Sequence, residues 1–390
     1  MKARRIADGV YYTGIIDWDR RTFDELVALP RGTSYNSYIV SGSSATALID
    51  SAEPSKSSEF LETIREMETD INYIISQHAE QDHSGTIPEL LDMYPDAEVL
   101  GTPACIELLR ELLRIDGNFR AIEDGEKLSL GDKTLRFIVT PWVHWPDTMV
   151  TYLEEERILF TCDFFGSHLA TSDIMEVPEG FLREAKRYYA HIMMPFSQMV
   201  TSNLRKISDL DISLIAPSHG PLVSIPDLII DAYRGWTSGG SKTVIAYTTM
   251  HGSTGIMVER LTEKLMELDV SVRPINVAES DTGEFLTELV DASILVVASP
   301  TVLTRPHPAV ASALYLVNAL RPPVKHVALI GSYGWGTLIE SEVKGLLSNM
   351  NVEYLEPVLV KGLPTEEDLQ RIDELAIQIK KIIGGELNGK

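Results

Sequence analysis

Apolar positions in the first part of the chain fall into short β-rich runs broken by turn residues. Runs over 10–16, 38–40 and 45–49 are separated by stretches such as Ser41-Gly42-Ser43-Ser44, which predicts a meandering sheet. Phe60, Leu61, Ile64 and Met67 then recur at helical spacing, so a helix is expected over 57–67. The apolar run 71–75 reads as a buried strand. From there strands and helices alternate, with a strand over 97–100, a helix over 106–115, and strands over 134–139, 148–152, 157–161 and 212–216. A helical region over 179–207 precedes the last of these and should be interrupted at Pro195, which has no N–H to donate.

Past Thr237-Ser238-Gly239-Gly240-Ser241-Lys242, a linker by composition, the texture changes. Strand runs over 243–247, 271–277, 293–298, 325–330 and 353–359 alternate with amphipathic helices, the last over 366–383. Five strands alternating with five helices predict a parallel, doubly wound sheet. A length of 390 residues suits two domains or three, and the pattern divides them as 1–241 and 242–390.

Candidate chemistry collects where the strands end. His78-Ala79-Glu80-Gln81-Asp82-His83 packs four metal-ligating side chains between the strand 71–75 and a helix that can begin near Ser84. His144, Asp163 and His219 each follow another apolar strand. Any one of these residues reads equally well as part of a polar turn or as a satisfied core histidine. Together, four imidazoles and three carboxylates suffice for two metals with open positions, one carboxylate bridging. A structural zinc site would use Cys and His, and a catalytic one mostly His with a single carboxylate. A set this rich in oxygen suits iron or manganese better. His168 reads either as a donor behind the ligands or as a plain loop residue.

The second half carries no such cluster, but three of its loops share a character. Thr249, Met250, His251, Gly252, Ser253 and Thr254 lie between the first strand and its helix. Their hydroxyls and backbone N–H groups at a helix N-terminus form either a phosphate cradle or merely an N-cap. Ser299-Pro300-Thr301-Val302-Leu303 follows the third strand and Ser332-Tyr333-Gly334-Trp335-Gly336 the fourth. Both stand at carboxyl ends of strands, where doubly wound sheets bind ligands, and the second offers an aromatic pair to flank a flat ring.

Composition narrows the partners. A formal net charge of -23 argues against nucleic acid and anionic membranes. Two cysteines, Cys105 and Cys162, make neither a disulfide framework nor an iron–sulfur centre, and point to a reducing, cytoplasmic setting. The N-terminal basic residues have no apolar stretch behind them, so no signal peptide is expected, and no run reaches the roughly 20 apolar residues of a membrane span.

The order His78-Glu80-Asp82-His83, followed by His144, Asp163 and His219, resembles the diiron version of the metallo-β-lactamase motif found in flavodiiron proteins. The three loops of the second half resemble the phosphate and ring loops of a flavodoxin. That resemblance implies an N-terminal metallo-β-lactamase-like αββα sandwich followed by a flavodoxin-like, doubly wound, parallel five-stranded sheet. It implies two iron ions, one on His78, Glu80 and His144, the other on Asp82, His83 and His219, with Asp163 bridging, and FMN in the second domain. The implied activity is reduction of dioxygen to water, of nitric oxide to nitrous oxide, or both. Electrons would pass through FMN from an external donor: a rubredoxin-like protein, a flavin reductase, reduced deazaflavin or a nicotinamide system. Family members are head-to-tail homodimers, or dimers of dimers, which place one subunit's flavin beside the other's irons. Two departures stand out: His251 occupies a place where Trp is usual, and Val302-Leu303-Thr304 replaces a more polar stretch. The alternatives are a dinuclear zinc hydrolase with an accessory flavodoxin-like domain, and an FMN electron carrier with a vestigial metal domain. Glu80 counts against the first and the complete ligand set against the second.

Overall fold

The computed structural model describes residues 2–23 and 25–388, with side chains described to residue 385. Contacts divide the chain into two units, Met1–Tyr189 with Phe196–Thr237, and Ala190–Pro195 with Ser238–Lys390.

Two sheets face each other in the first unit. One takes its strands in the order Arg4–Ala7, Val10–Tyr12, Tyr38–Ser41, Thr46–Ile49, Tyr73–Ile75, Glu98–Gly101 and Phe119–Ala121. It is antiparallel as far as Thr46–Ile49 and parallel beyond. The other runs Lys127–Ser129, Thr134–Val139, Met149–Leu153, Ile158–Cys162 and Leu214–Pro217. The period of two along each strand sorts the side chains. Tyr38 and Val40 join Phe137, Met149 and Phe160 in the core between the sheets, whereas Ile39 turns to the other face. There it packs with Phe60 and Ile64 of the helix Ser57–Glu66, Leu90 of Ile87–Met93 and Leu109 of Pro103–Leu113.

Several elements differ from the sequence-based expectation. The run 10–16 is cut into Val10–Tyr12 and Ile15–Asp17, which belong to different sheets. Between them lies Gly14, where an added Cβ would come within 2.5 Å of the Tyr35 carbonyl oxygen and 2.6 Å of the Asn36 Cα. Ile15–Asp17 instead pairs antiparallel with Thr33–Tyr35. The helix expected over 106–115 starts at Pro103, because the Thr102 side chain accepts from the Cys105 N–H and Pro103 suits the first helical position. The region 179–207 breaks around Pro195 into Phe181–Tyr188, a π-helical turn Tyr189–Met193, a 3-10 turn Met194–Phe196 and the helix Ser197–Lys206.

The second unit is a parallel sheet in the order Val272–Asn276, Lys242–Tyr247, Ala292–Val302, His326–Tyr333 and Glu353–Tyr354. Numbered along the chain this is 2-1-3-4-5, the flavodoxin-like order. The fifth strand is split, resuming as Val358–Lys361 on the far end of His326–Tyr333. Pro357 lies in the gap, and proline cannot donate to a ladder. The linker is shorter than composition suggests, because the helix Pro226–Ser238 runs into it and the next strand starts at Lys242. Among the described residues no helix is long and apolar enough to cross a membrane.

Candidate functional site

Seven side chains reach one region of the first unit from loops at strand ends. The strand Tyr73–Ile75 delivers His78 and Glu80, and a single helical turn, Gln81–Ser84, then carries Asp82 and His83. This turn is an element of its own, and the helix expected near Ser84 begins at Ile87. The His83 and Ser84 N–H groups both donate to the Glu80 backbone carbonyl at 3.0 Å, so the backbone of Glu80 and the two ligand candidates after it share one hydrogen-bonded turn. His144 lies between Thr134–Val139 and Met149–Leu153, Asp163 directly after Ile158–Cys162, and His219 after Leu214–Pro217. Cys162 has φ +50°, a strained setting for a side chain-bearing residue.

Donor atoms of His78, Glu80, His144 and Asp163 all lie within 4.8 Å of one another, as do those of Asp82, His83 and His219. Asp163 stands between the two sets. Its Oδ2 is 3.3 Å from His144 Nε2 and 3.7 Å from His78 Nε2, while its Oδ1 is 3.1 Å from His83 Nε2 and 3.4 Å from His219 Nε2. Glu80 Oε2 lies 3.2 Å from both His78 and His144, and the Asp82 oxygens lie 3.3 Å from His83 and 3.1 Å from His219. Only His144 and Glu80, each 15% exposed, open toward solvent. The Cys162 thiol also comes within reach of His83 and Asp163, but burial and the nearby Asp50 push its pKa well up and keep it a neutral thiol.

Sequence reasoning missed the groups that aim these ligands. Asp147, fully buried, accepts from the Ala79 N–H at 2.8 Å, and its two oxygens lie 3.2 and 3.1 Å from His78 Nδ1. The Ser34 carbonyl accepts from His219 Nδ1 at 2.7 Å. In both residues the partner on Nδ1 turns Nε2 toward the carboxylates. The Tyr188 hydroxyl donates to Asp163 Oδ1 at 2.7 Å. Nothing in local spacing marks any of the three. His168 joins neither set: its Nδ1 is 2.9 Å from the Thr33 hydroxyl, and its ring packs against Phe23, Tyr188 and His219.

The donor set fits metal cations. Both Asp82 oxygens, both His83 nitrogens and Asp163 Oδ2 are buried without a hydrogen-bond partner, although Asp82 lies at ion-pair distance from His83 Nε2 and His219 Nε2, and Asp163 Oδ2 from His144 Nε2. Unpaired carboxylate in a fold interior is costly unless a cation meets it. Burial opposes charge on His144 and His219, but Asp163 with Glu80 or Asp82 outweighs it and lifts their pKa to about 9 and about 10. Burial opposes charge on His78 too, yet Asp147 and Glu80 hold its pKa well above the ordinary value. Asp163, although buried, is held far below the usual carboxylate range by the surrounding imidazoles. The pocket therefore favours positive charge, and protons and metal ions compete for the same Nε2 lone pairs.

In the second unit a cleft of about 220 Å³ opens at the carboxyl ends of the strands. Thr249, Met250, His251, Ser253, Thr254, Pro300, Thr301, Ser332, Tyr333 and Gly334 line it. The helix behind it, Ser253–Glu267, has Gly252 at its N-cap with φ +92°, and the Thr249 hydroxyl accepts from the Gly255 N–H of its first turn at 3.2 Å; its N-terminal dipole faces the cleft. Thr254 and Ser332 hydroxyls meet at 2.9 Å across it. Six expected residues do not line the cleft: Gly252, Ser299, Val302, Leu303, Trp335 and Gly336. The third strand explains part of this. It runs on to Val302, pairs through Ser299 and Pro300 with Gly331 and Ser332, and folds back onto Arg305–Pro306. Ser299 is thereby buried, its hydroxyl accepting from the His307 N–H, and Leu303 is carried out to the turn. Leu303 and Trp335 are 81% and 77% exposed. Gly362, past the end of Val358–Lys361, lines the cleft and was not anticipated.

Comparison with known proteins agrees over nearly the full length. The family described as "ODP family beta lactamase" matches residues 33–220. A nitric oxide reductase of Moorella thermoacetica is 36% identical over 96% of this chain and 97% of its own. The chain belongs to the flavodiiron proteins. The structure of the flavodiiron protein from Giardia intestinalis superposes with a TM-score of 0.91 at 27% identity, covering 99% of this chain and 97% of that one. Rubredoxin oxygen:oxidoreductase from the anaerobe Desulfovibrio gigas superposes with a TM-score of 0.94 at 28% identity, covering 99% and 100%. The first unit is thus the metallo-β-lactamase-like sandwich and the second the flavodoxin-like domain of a flavodiiron protein.

Proposed function

We propose that this flavodiiron protein reduces dioxygen to water, nitric oxide to nitrous oxide, or both, with residues 1–241 forming the diiron domain and 242–390 the FMN domain. The relatives are named as oxidoreductases, a nitric oxide reductase and an oxygen oxidoreductase among them, which favours this reading over a zinc hydrolase. The observation that carries it is the division of Asp163, one carboxylate oxygen toward His78 and His144 and the other toward His83 and His219. A carboxylate placed so suits a bridge between two ions, with His78, Glu80 and His144 holding one, and Asp82, His83 and His219 the other. When bound, paired irons would supply two adjacent redox centres for a diatomic substrate, and FMN would supply the electrons.

The chain's own residues do the rest. Asp147 and the Ser34 carbonyl orient the imidazoles before any metal arrives. Burial and Asp163 hold the Tyr188 pKa well up, so its hydroxyl stays a donor and fixes the bridging carboxylate. The Trp145 ring lies edge-on to His78 at 4.9 Å and Phe23 covers His168 at 4.9 Å, which excludes water from the buried side. Glu80 and His144, on the more open side, define where substrate enters. In the flavin domain the hydroxyls of Thr249, Ser253 and Thr254 and the N-terminus of Ser253–Glu267 suit the FMN phosphate, and Tyr333 suits the ring. The electron donor is a separate rubredoxin-like protein, flavin reductase or reduced deazaflavin, and a head-to-tail homodimer brings one subunit's flavin to the other's irons.

Purified from iron-replete cells, the full-length chain should be yellow and hold about two irons and one FMN. It should consume dioxygen or nitric oxide when its flavin is kept reduced. Stoichiometric zinc with no flavin would instead support the hydrolase.

A further inference from the structure

We infer that Asn36 is a positioning residue for the second half of the metal centre, acting through the loop Pro217-Ser218-His219-Gly220. The inference rests on the two-metal reading above. Asn36 is buried at the end of the strand Thr33–Tyr35 and touches none of the seven ligand side chains by hydrogen bond. Its amide Nδ2 donates to the Pro217 carbonyl at 2.7 Å and to the Gly220 carbonyl at 2.8 Å, on either side of His219. Its backbone N–H donates to the Ser218 carbonyl at 2.8 Å. One residue therefore grips three of the loop's carbonyls, and the fourth, that of His219, accepts from the Ser167 N–H.

Two neighbours complete the grip. The Tyr12 hydroxyl donates to Asn36 Oδ1 at 2.9 Å, which turns the two amide hydrogens toward the loop. Ser34 accepts from the Gly220 N–H through its hydroxyl at 2.8 Å and from His219 Nδ1 through its carbonyl. Residue 34 thus sets the imidazole and residue 36 the backbone that carries it. The side chain has to be Asn for a stated reason. An aliphatic group leaves the Gly220 carbonyl buried without this donor, and a carboxylate of the same shape presents oxygen to oxygen. The Pro217 carbonyl keeps a second donor, the Tyr38 hydroxyl at 2.6 Å, so losing Asn36 loosens the loop rather than unfolding it. His219 faces Asp82 and Asp163 from this loop, whereas His78, Glu80 and His144 hang from loops that Asn36 does not bond. The consequence is selective: Asn36 governs the ion held by Asp82, His83 and His219.

The test is anaerobic calorimetry of iron(II) alone, titrated into the iron-stripped, flavin-containing full-length chain. Wild type should show two uptake steps. Asn36→Ala and Asn36→Asp should weaken one step about 10- to 100-fold, the range for residues that orient ligands from behind, and leave the other step unchanged. Tyr12→Phe should shift the same step in the same direction by less, and it keeps the inference testable if the Asn36 variants do not fold. Variants that match wild type at both steps overturn the inference. Equal weakening of both steps also overturns it, because that is the signature of a general structural role. A wild-type chain that takes up no second ion refutes the two-metal reading itself, and the inference falls with it.

Discussion

The two candidate sites are built on opposite principles. In the first unit, seven ionisable side chains are driven into an interior where most are under 5% exposed, and their mutual charges decide their protonation. In the second, the cleft is lined by hydroxyls, backbone and a helix N-terminus, and its Met250 stands half in solvent. The first site gains its specificity from charge that is expensive to bury unpaired. The second gains it from backbone geometry that every doubly wound sheet provides at its strand ends. A single substitution should therefore be severe in one and graded in the other.

The largest effect is expected at the point the two metal sets share. Asp163→Asn removes one negative charge from between two dications and leaves the repulsion between them less compensated. Iron content should collapse and turnover with it, while flavin content stays at the wild-type level. Metal analysis beside the visible spectrum reads both, and full iron with full turnover would sink the bridging role. The graded counterpart is Thr249→Ala combined with Ser253→Ala. Two hydroxyl donors to a charged phosphate are lost at about 1.5–3 kcal/mol each, so FMN affinity should fall on the order of 10²- to 10⁴-fold. The irons should remain, since the seven candidate ligands all precede the linker. Fluorescence titration of the apoprotein with FMN measures the loss, and an unchanged affinity would remove these hydroxyls from the phosphate site.

The same contrast explains what could be read before the structure. His78, Glu80, Asp82, His83, His144, Asp163 and His219 stood out because their chemistry is carried by side-chain type and each follows an apolar run. Asp147 and Ser34 did not, because each acts on a partner 69 or 185 residues away and only tertiary packing brings them together. The parallel, doubly wound character of the second unit was legible from five apolar runs alternating with helices. Where the third strand stops was not: it continues past Ala298 because Gly331 and Ser332 extend alongside and satisfy its backbone. Loop residues chosen from position alone therefore mixed cleft-lining Pro300 and Thr301 with buried Ser299 and solvent-facing Leu303. Gly14 likewise cut an apparently continuous strand because of a close approach by Tyr35 and Asn36 that no local pattern announces.

The smallest expected effect is on the stability of the metal-stripped chain, and it tests whether charge really organises the first site. His144 and His219 have folded pKa values of about 9 and about 10, against roughly 6.5 for an unfolded imidazole. Both are raised, so between those limits the folded chain binds more protons than the unfolded one. The stabilisation they give is fully present below pH of about 6.5 and is lost as pH rises through about 9 to 10. Ligation has the reverse dependence, since a metal takes the neutral imidazole and releases its proton. The melting temperature of the stripped chain should therefore fall by a few degrees between about pH 6.5 and 9.5. That of the iron-loaded chain should not. Tryptophan fluorescence reports mainly on the relevant unit, which holds Trp18, Trp142, Trp145 and Trp236, leaving Trp335 in the other. A stripped chain that grows more stable over this range would show that burial, which favours the neutral imidazole, outweighs the carboxylates. The site would then be poised for metal by geometry alone.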